Sequence, residues 1–112
     1  MAIVKGNDKN NTLIGTVKAD EIFGLGGDDR IRGKGGDDLI YGGPGEDRVF
    51  PDLGASRIYG GDGDDNLQGG TKVFGDNGDD HLRLVLHSDV GTARGGKGND
   101  FIEVQGLSLI HI

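Results

Sequence analysis

The sequence predicts an all-β solenoid in which short parallel strands stack layer upon layer. Three observations carry that expectation. A nine-residue unit recurs almost without interruption, Gly fills 24 of 112 positions but falls in phase, and one aliphatic side chain returns at the same place in each unit. The clearest copies are Gly24–Arg32 (GLGGDDRIR), Gly33–Tyr41 (GKGGDDLIY), Gly42–Phe50 (GGPGEDRVF), Gly60–Gln68 (GGDGDDNLQ), Gly75–Arg83 (GDNGDDHLR) and Gly95–Glu103 (GGKGNDFIE).

Taken in order from Gly6, the remaining copies keep the register. Gly6–Ile14 (GNDKNNTLI) and Gly15–Phe23 (GTVKADEIF) are degenerate but in phase, and Pro51–Tyr59 (PDLGASRIY) has lost its acidic residue. Gly69–Phe74 (GGTKVF) is a copy shortened in its loop, and Leu84–Arg94 (LVLHSDVGTAR) is a lengthened one. Position eight then reads Leu13, Ile22, Ile31, Ile40, Val49, Ile58, Leu67, Val73, Leu82, Ala93 and Ile102. A short strand that points one side chain inward per turn produces such an apolar column. Positions seven to nine are therefore read as strands and positions one to six as turns, where glycine supplies unusual φ angles and close backbone approach. No helix is read anywhere.

Strands this short cannot stand alone, so layers must stack at about 4.8 Å. Two units make one layer, and odd and even loops fall on opposite edges. The first edge aligns Asn11, Asp29, Asp47, Asp65, Asp80 and Asp100. The second edge carries the shortened and lengthened loops and keeps one acidic pair, Asp20 and Asp38. One domain over residues 1–112 is expected, with repeats over about 6–103, an N-terminal cap at 1–5 and a C-terminal cap at 104–112.

The chemistry follows from the acids. Asp outnumbers Glu 16 to 3, and short-armed Asp suits tight turns and cation loops. Carboxylate and carbonyl oxygens select hard cations over zinc or copper, and flexible carbonyl-rich loops favour calcium over magnesium. About five ions are expected on the first edge and one on the second. Five divalent ions would bring about ten positive charges to a chain of net charge −7. Without them stacked aspartates repel, so the chain is expected to fold on binding calcium.

Other classes are disfavoured. The acidic balance opposes nucleic-acid binding. There is no Cys for disulfides or thiolate metal sites, no apolar stretch long enough to span a membrane, and no secretory leader is read at Met1–Asp8. Gly91–Gly98 (GTARGGKG) approaches a phosphate-binding loop but lacks the final Ser/Thr and a following helix. His81, His87 and His111 do not cluster, and the acid pairs recur in unit after unit, so no catalytic residue is assigned and no enzyme is expected.

The nonamer resembles that of the repeats-in-toxin family, GGxGxDxUx with U a large aliphatic residue. Gly42–Phe50, Gly60–Gln68 and Gly95–Glu103 agree at every defined position. The resemblance implies a right-handed parallel β-roll with calcium between successive turns. It implies carboxylate ligands at Asp29, Asp47, Asp65, Asp80 and Asp100, and carbonyl ligands in loop residues such as Gly27, Gly45, Gly63, Gly78 and Gly98. Asn11 departs from the acid, so its site is expected to be weaker; Ser56 and the loop at Gly69–Thr71 are expected to bind nothing. It also implies a secreted, extracellular module exported in one step (type I secretion), disordered at cytoplasmic calcium and ordered outside.

Two outward columns are further candidates. Phe23, Tyr41, Tyr59 and Phe74 form an aromatic ladder on one sheet, read as cross-strand stacking or as a partner or sugar platform. Arg30, Arg32, Arg48 and Arg83, with His81, lie on the other, read as solvated surface or as a groove for an acidic polysaccharide. The alternative function is accordingly an acidic-polysaccharide-binding or adhesion module, or an accessory domain of a secreted enzyme or toxin. Leu107–Ile112 alternates apolar residues and would cover the last layer or join the same end of a second copy as a homodimer.

Overall fold

The computed structural model describes residues 2–50, 56–69, 72–85, 90–105 and 109–111. Among them every regular element is a strand. The strands are β1 Ile3–Lys5, β2 Thr12–Ile14, β3 Glu21–Phe23, β4 Arg30–Arg32, β5 Leu39–Tyr41, β6 Arg48–Val49, β7 Arg57–Tyr59, β8 Asn66–Gln68, β9 Lys72–Phe74, β10 His81–Val85, β11 Val90–Arg94, β12 Phe101–Gln105 and β13 Leu109–His111.

Successive strands alternate between two sheets. One has the order β1-β3-β5-β7-β9-β11-β13, the other β12-β10-β8-β6-β4-β2, and every pairing is parallel. This is the expected parallel β-roll. Leu13 faces Ile31 and Ile22 faces Ile40, so equivalent residues recur every second unit. The loop changes on the second edge are absorbed within a layer. Asp65 and Asp80 remain neighbours at a separation of 15, and Asp80 and Asp100 at 20.

The core is the position-eight column. Leu13, Ile22, Ile31, Ile40, Val49, Ile58, Leu67, Val73, Leu82 and Ala93 are buried, and Ile102 packs against them. Leu84 joins them, fully buried, because β10 runs two residues beyond the three-residue strand expected from the period. One apolar side chain per strand makes a narrow seam. Each loop must therefore close tightly against the next.

The glycines serve that closure. Position four takes a left-handed φ, as at Gly45 (105°) and Gly63 (105°). A Cβ at Gly63 would also strike the Gly45 carbonyl oxygen, and one at Gly45 the Gly27 carbonyl oxygen. Position two is left-handed as well, yet Leu25 (64°), Lys34 (63°) and Asp76 (67°) are accepted there. The unequal strictness of the repeat thus has a steric cause.

Several expectations fall on residues outside those described: the second-edge loop segments 51–55, 70–71 and 86–89, which include His87, and tail residues 106–108 and 112. Gly91–Gly98 is strand through Arg94 and then turn, with no helix following, so it is not a phosphate loop.

Gly63→Ala combines a left-handed backbone with a steric clash and should cost the calcium-loaded protein about 1–3 kcal/mol. Leu25→Gly, which relieves a left-handed non-glycine, should be within about 1 kcal/mol of neutral. Thermal melting in excess calcium distinguishes the two.

Candidate metal centre

The first-edge acids form a continuous ladder. Each position-six carboxylate accepts, through Oδ1, the backbone N–H of its counterpart in the preceding layer. The Asn11 N–H donates to Asp29 (2.8 Å), Asp29 to Asp47 (2.9 Å), Asp47 to Asp65 (2.8 Å), Asp65 to Asp80 (2.9 Å) and Asp80 to Asp100 (2.8 Å). Asp29, Asp47, Asp65 and Asp80 are at most 2 % exposed. Their second oxygens, Oδ2, are buried with no hydrogen-bond partner. Each Oδ2 folds back under its own loop, against the position-one glycine. A Cβ at Gly42 would stand 2.6 Å from Asp47 Oδ2, and one at Gly60 2.6 Å from Asp65 Oδ2.

Four unpartnered carboxylate oxygens in one column are costly without a counter-charge. Position-four carbonyl oxygens of Gly27, Gly45, Gly63 and Gly78 lie between layers, each filling the space where the next layer's Cβ would stand. These donors are all oxygens, some charged and some neutral, which suits a hard divalent cation. Among the described residues no three His, Cys, Asp or Glu side chains converge on one point. A cation between layers must therefore draw on backbone carbonyls as well as carboxylates.

Burial sets the electrostatics. Desolvation pushes Asp65 up to about 9, Asp47 up to about 7 and Asp80 up to about 6, with neighbouring carboxylates adding to the rise and the interlayer N–H bond opposing it. Asp29 is raised for the same leading reason. Asp20, on the second edge, goes the other way: the Thr16 N–H, at 2.6 Å from Oδ2, holds it below the usual range. Asp38 Oδ1 accepts the Asp20 N–H (2.8 Å), and the Asp38 N–H reaches Ser56 Oγ at 3.3 Å, so a serine replaces the acid in that ladder.

A second column had not been expected. Position-five side chains accept N–H groups from the following layer: Asn10 from Asp28 (2.7 Å), Asp28 from Glu46 (2.8 Å), Asp64 from Asp79 (2.8 Å) and Asp79 from Asn99 (2.8 Å). The recurrent acid pair in the sequence was the signal. Its two members bond in opposite directions along the roll, and both tie layers together.

The outward candidates also find places. Phe23, Tyr41, Tyr59 and Phe74 stack with ring centroids 5.3, 5.0 and 5.0 Å apart and planes within 11°. Their faces are spent on one another, which fits sheet stabilisation and leaves little face for a sugar. Arg30 and Arg48 are in-register neighbours on the other sheet, whereas Arg32 on β4 and Arg83 on β10 are separated by β6 and β8 and do not pair. Arg30 and Arg48 share a cleft of about 260 Å³ with Asp28, Asp29, Glu46, Asp47 and Asp64, where the acids outnumber them and oppose a polyanion. His81 Nε2 lies 3.5 Å from Glu103 Oε2, and its ring meets Phe101 edge-on.

Raised carboxyl pKa values favour the protonated form in the folded state. Their stabilising effect is full below the ordinary carboxyl value of 3.8 and is lost as pH rises through about 6, 7 and 9. In chelator, therefore, strand signal in circular dichroism should grow as pH falls from 9 to 6. In calcium the midpoint should move to higher calcium over the same range, since protons compete with the ion.

Comparison with known proteins follows the same lines. The family model described as RTX calcium-binding nonapeptide repeat matches four times, over residues 5–40, 23–58, 41–71 and 90–104, together more than half of the chain. No curated protein and no solved structure matches. The parallel roll, the phased acids and this match lead to one conclusion: the chain belongs to the RTX calcium-binding nonapeptide repeat family.

Proposed function

We propose that the chain is a non-catalytic calcium-binding module of a secreted protein, and that its roll forms when calcium enters the first-edge ladder. The observation that carries this reading is the column of buried, unpartnered Oδ2 atoms on Asp29, Asp47, Asp65 and Asp80. Calcium would sit between successive loops from Asp29 to Asp100, held by carboxylates of Asp29, Asp47, Asp65, Asp80 and Asp100. Carbonyls of Gly27, Gly45, Gly63, Gly78 and Gly98 complete the ligand set. The ion supplies positive charge and satisfies oxygens that nothing else in the interior reaches. Calcium is favoured over magnesium because irregular carbonyl-rich loops suit its larger, more flexible coordination shell.

The non-catalytic reading rests on repetition. The acid pairs recur layer after layer, and a unique active site would not. Secretion fits because calcium is scarce in cytoplasm and abundant outside. A chain that folds only on binding is then kept unfolded until export. The whole of residues 1–112 acts as one unit in this reading, with β1 and β13 as the outer strands of the larger sheet.

A calcium titration at neutral pH followed by circular dichroism should show a cooperative change from coil to strand. Asp47→Ala and Asp65→Ala should each move the midpoint about tenfold or more to higher calcium, equivalent to about 1.4 kcal/mol or more. Magnesium at equal concentration should leave the chain as coil. Strand signal already complete in chelator at neutral pH would refute the reading.

A further inference from the structure

The family match takes in the first layer, within residues 5–40, but that layer is built differently from the later ones. In the loop Gly6–Asn11 the Asn7 N–H donates to Asn11 Oδ1 (2.8 Å) and the Lys9 N–H to Asn7 Oδ1 (2.8 Å). In the loop Gly15–Asp20 the same two bonds recur. The Thr16 N–H donates to Asp20 Oδ2 (2.6 Å) and the Lys18 N–H to Thr16 Oγ1 (3.1 Å). The Thr16 hydroxyl lies 3.0 Å from each Asp20 oxygen as well. Two loops on opposite edges thus share one closure, in which position two bonds to positions four and six.

Their backbone differs accordingly. Asn7, Lys9, Thr16 and Lys18 are not left-handed, whereas Gly43, Gly45, Gly61, Gly63, Gly96 and Gly98 at the same loop positions are. The oxygens differ too. Asp20 uses both of its own, the second on Thr16 and the first on the Ala2 N–H at 2.9 Å, and so lacks the orphan that Asp47 and Asp65 carry. Asn11 brings no charge, and its Oδ1 is committed to Asn7.

From this we infer that the first layer takes no calcium: Asn7 and Thr16 do inside their loops what the ion does between the later ones, and the roll carries a metal-free layer at its N-terminal end. The inference rests on the calcium reading of the acid loops. It removes the site expected from the sequence at Asn11, and it takes Asp20 out of the one expected between Asp20 and Asp38. The first two loops then close at any calcium concentration at which the rest of the roll is present, and give the first cation-bearing layer a finished surface to stack on.

Native mass spectrometry of the calcium-saturated full chain counts the ions directly. Asn11→Ala and Thr16→Val should hold as many ions as wild type, while Asp65→Asn should hold fewer. Thr16→Val should also melt at a lower temperature in saturating calcium, having lost a bond that is not metal-borne. The combined Asn7→Gly, Lys9→Gly, Asn11→Asp variant, which restores the repeat pattern, should hold one ion more. Should Thr16→Val fail to fold, Asn11→Ala and the combined variant still decide for the first loop, and Asp20→Asn, expected to hold as many ions as wild type, decides for the second. An ion lost in Asn11→Ala, in Asp20→Asn or in folded Thr16→Val, or none gained in the combined variant, would overturn the inference. A wild-type chain that takes up no calcium at all would overturn it together with the calcium reading.

Discussion

A column of buried carboxylates, each with one oxygen satisfied and one not, is the constraint on which this fold turns. Oδ1 of every rung is tied to a backbone N–H of the neighbouring layer, so the acids are built into the roll and cannot swing out to water. Oδ2 is left facing the interior. The chain has few ways to meet that demand: a proton, an internal donor or a cation. Burial raises the pKa values in the direction of the first answer, Thr16 supplies the second at Asp20, and calcium, in the function proposed, would supply the third.

The rest of the architecture follows from how little else holds it together. The apolar seam offers one side chain per strand, with Leu84 as the exception. Close stacking of loops is therefore required, and in the acid-bearing first-edge loops it leaves no room for a Cβ at first- and fourth-position glycines such as Gly42, Gly45, Gly60 and Gly63. The aromatic stack and the position-five bonds add interlayer cohesion from outside the seam. None of these neutralises the interior acids, so in the function proposed they would accompany the cation and not replace it.

Much of this was legible in the sequence because it is periodic. The aliphatic column, the two sheets, the alignment of the first-edge acids across a shortened and a lengthened layer, and the aromatic ladder all follow from counting in nines. What escaped was not periodic or not encoded by residue type alone. Leu84 looked like part of a loop because β10 lengthens by two residues where the period gives three. The position-five ladder was hidden by its neighbour, since adjacent aspartates look alike and only the direction of their bonds separates them. The closure by Asn7 and Thr16 was invisible for a related reason: the two residues share a bonding geometry and not a name.

Small-angle X-ray scattering at neutral pH, with and without calcium, addresses the dependence of the fold on its ion most directly. The folded chain has a Cα radius of gyration of 12.6 Å. An unfolded chain of this length has about 34 Å. The account predicts a value near the first in calcium and approaching the second in chelator. A chain equally compact in both would contradict it, because the interior carboxylates would then be tolerated with no ion among them.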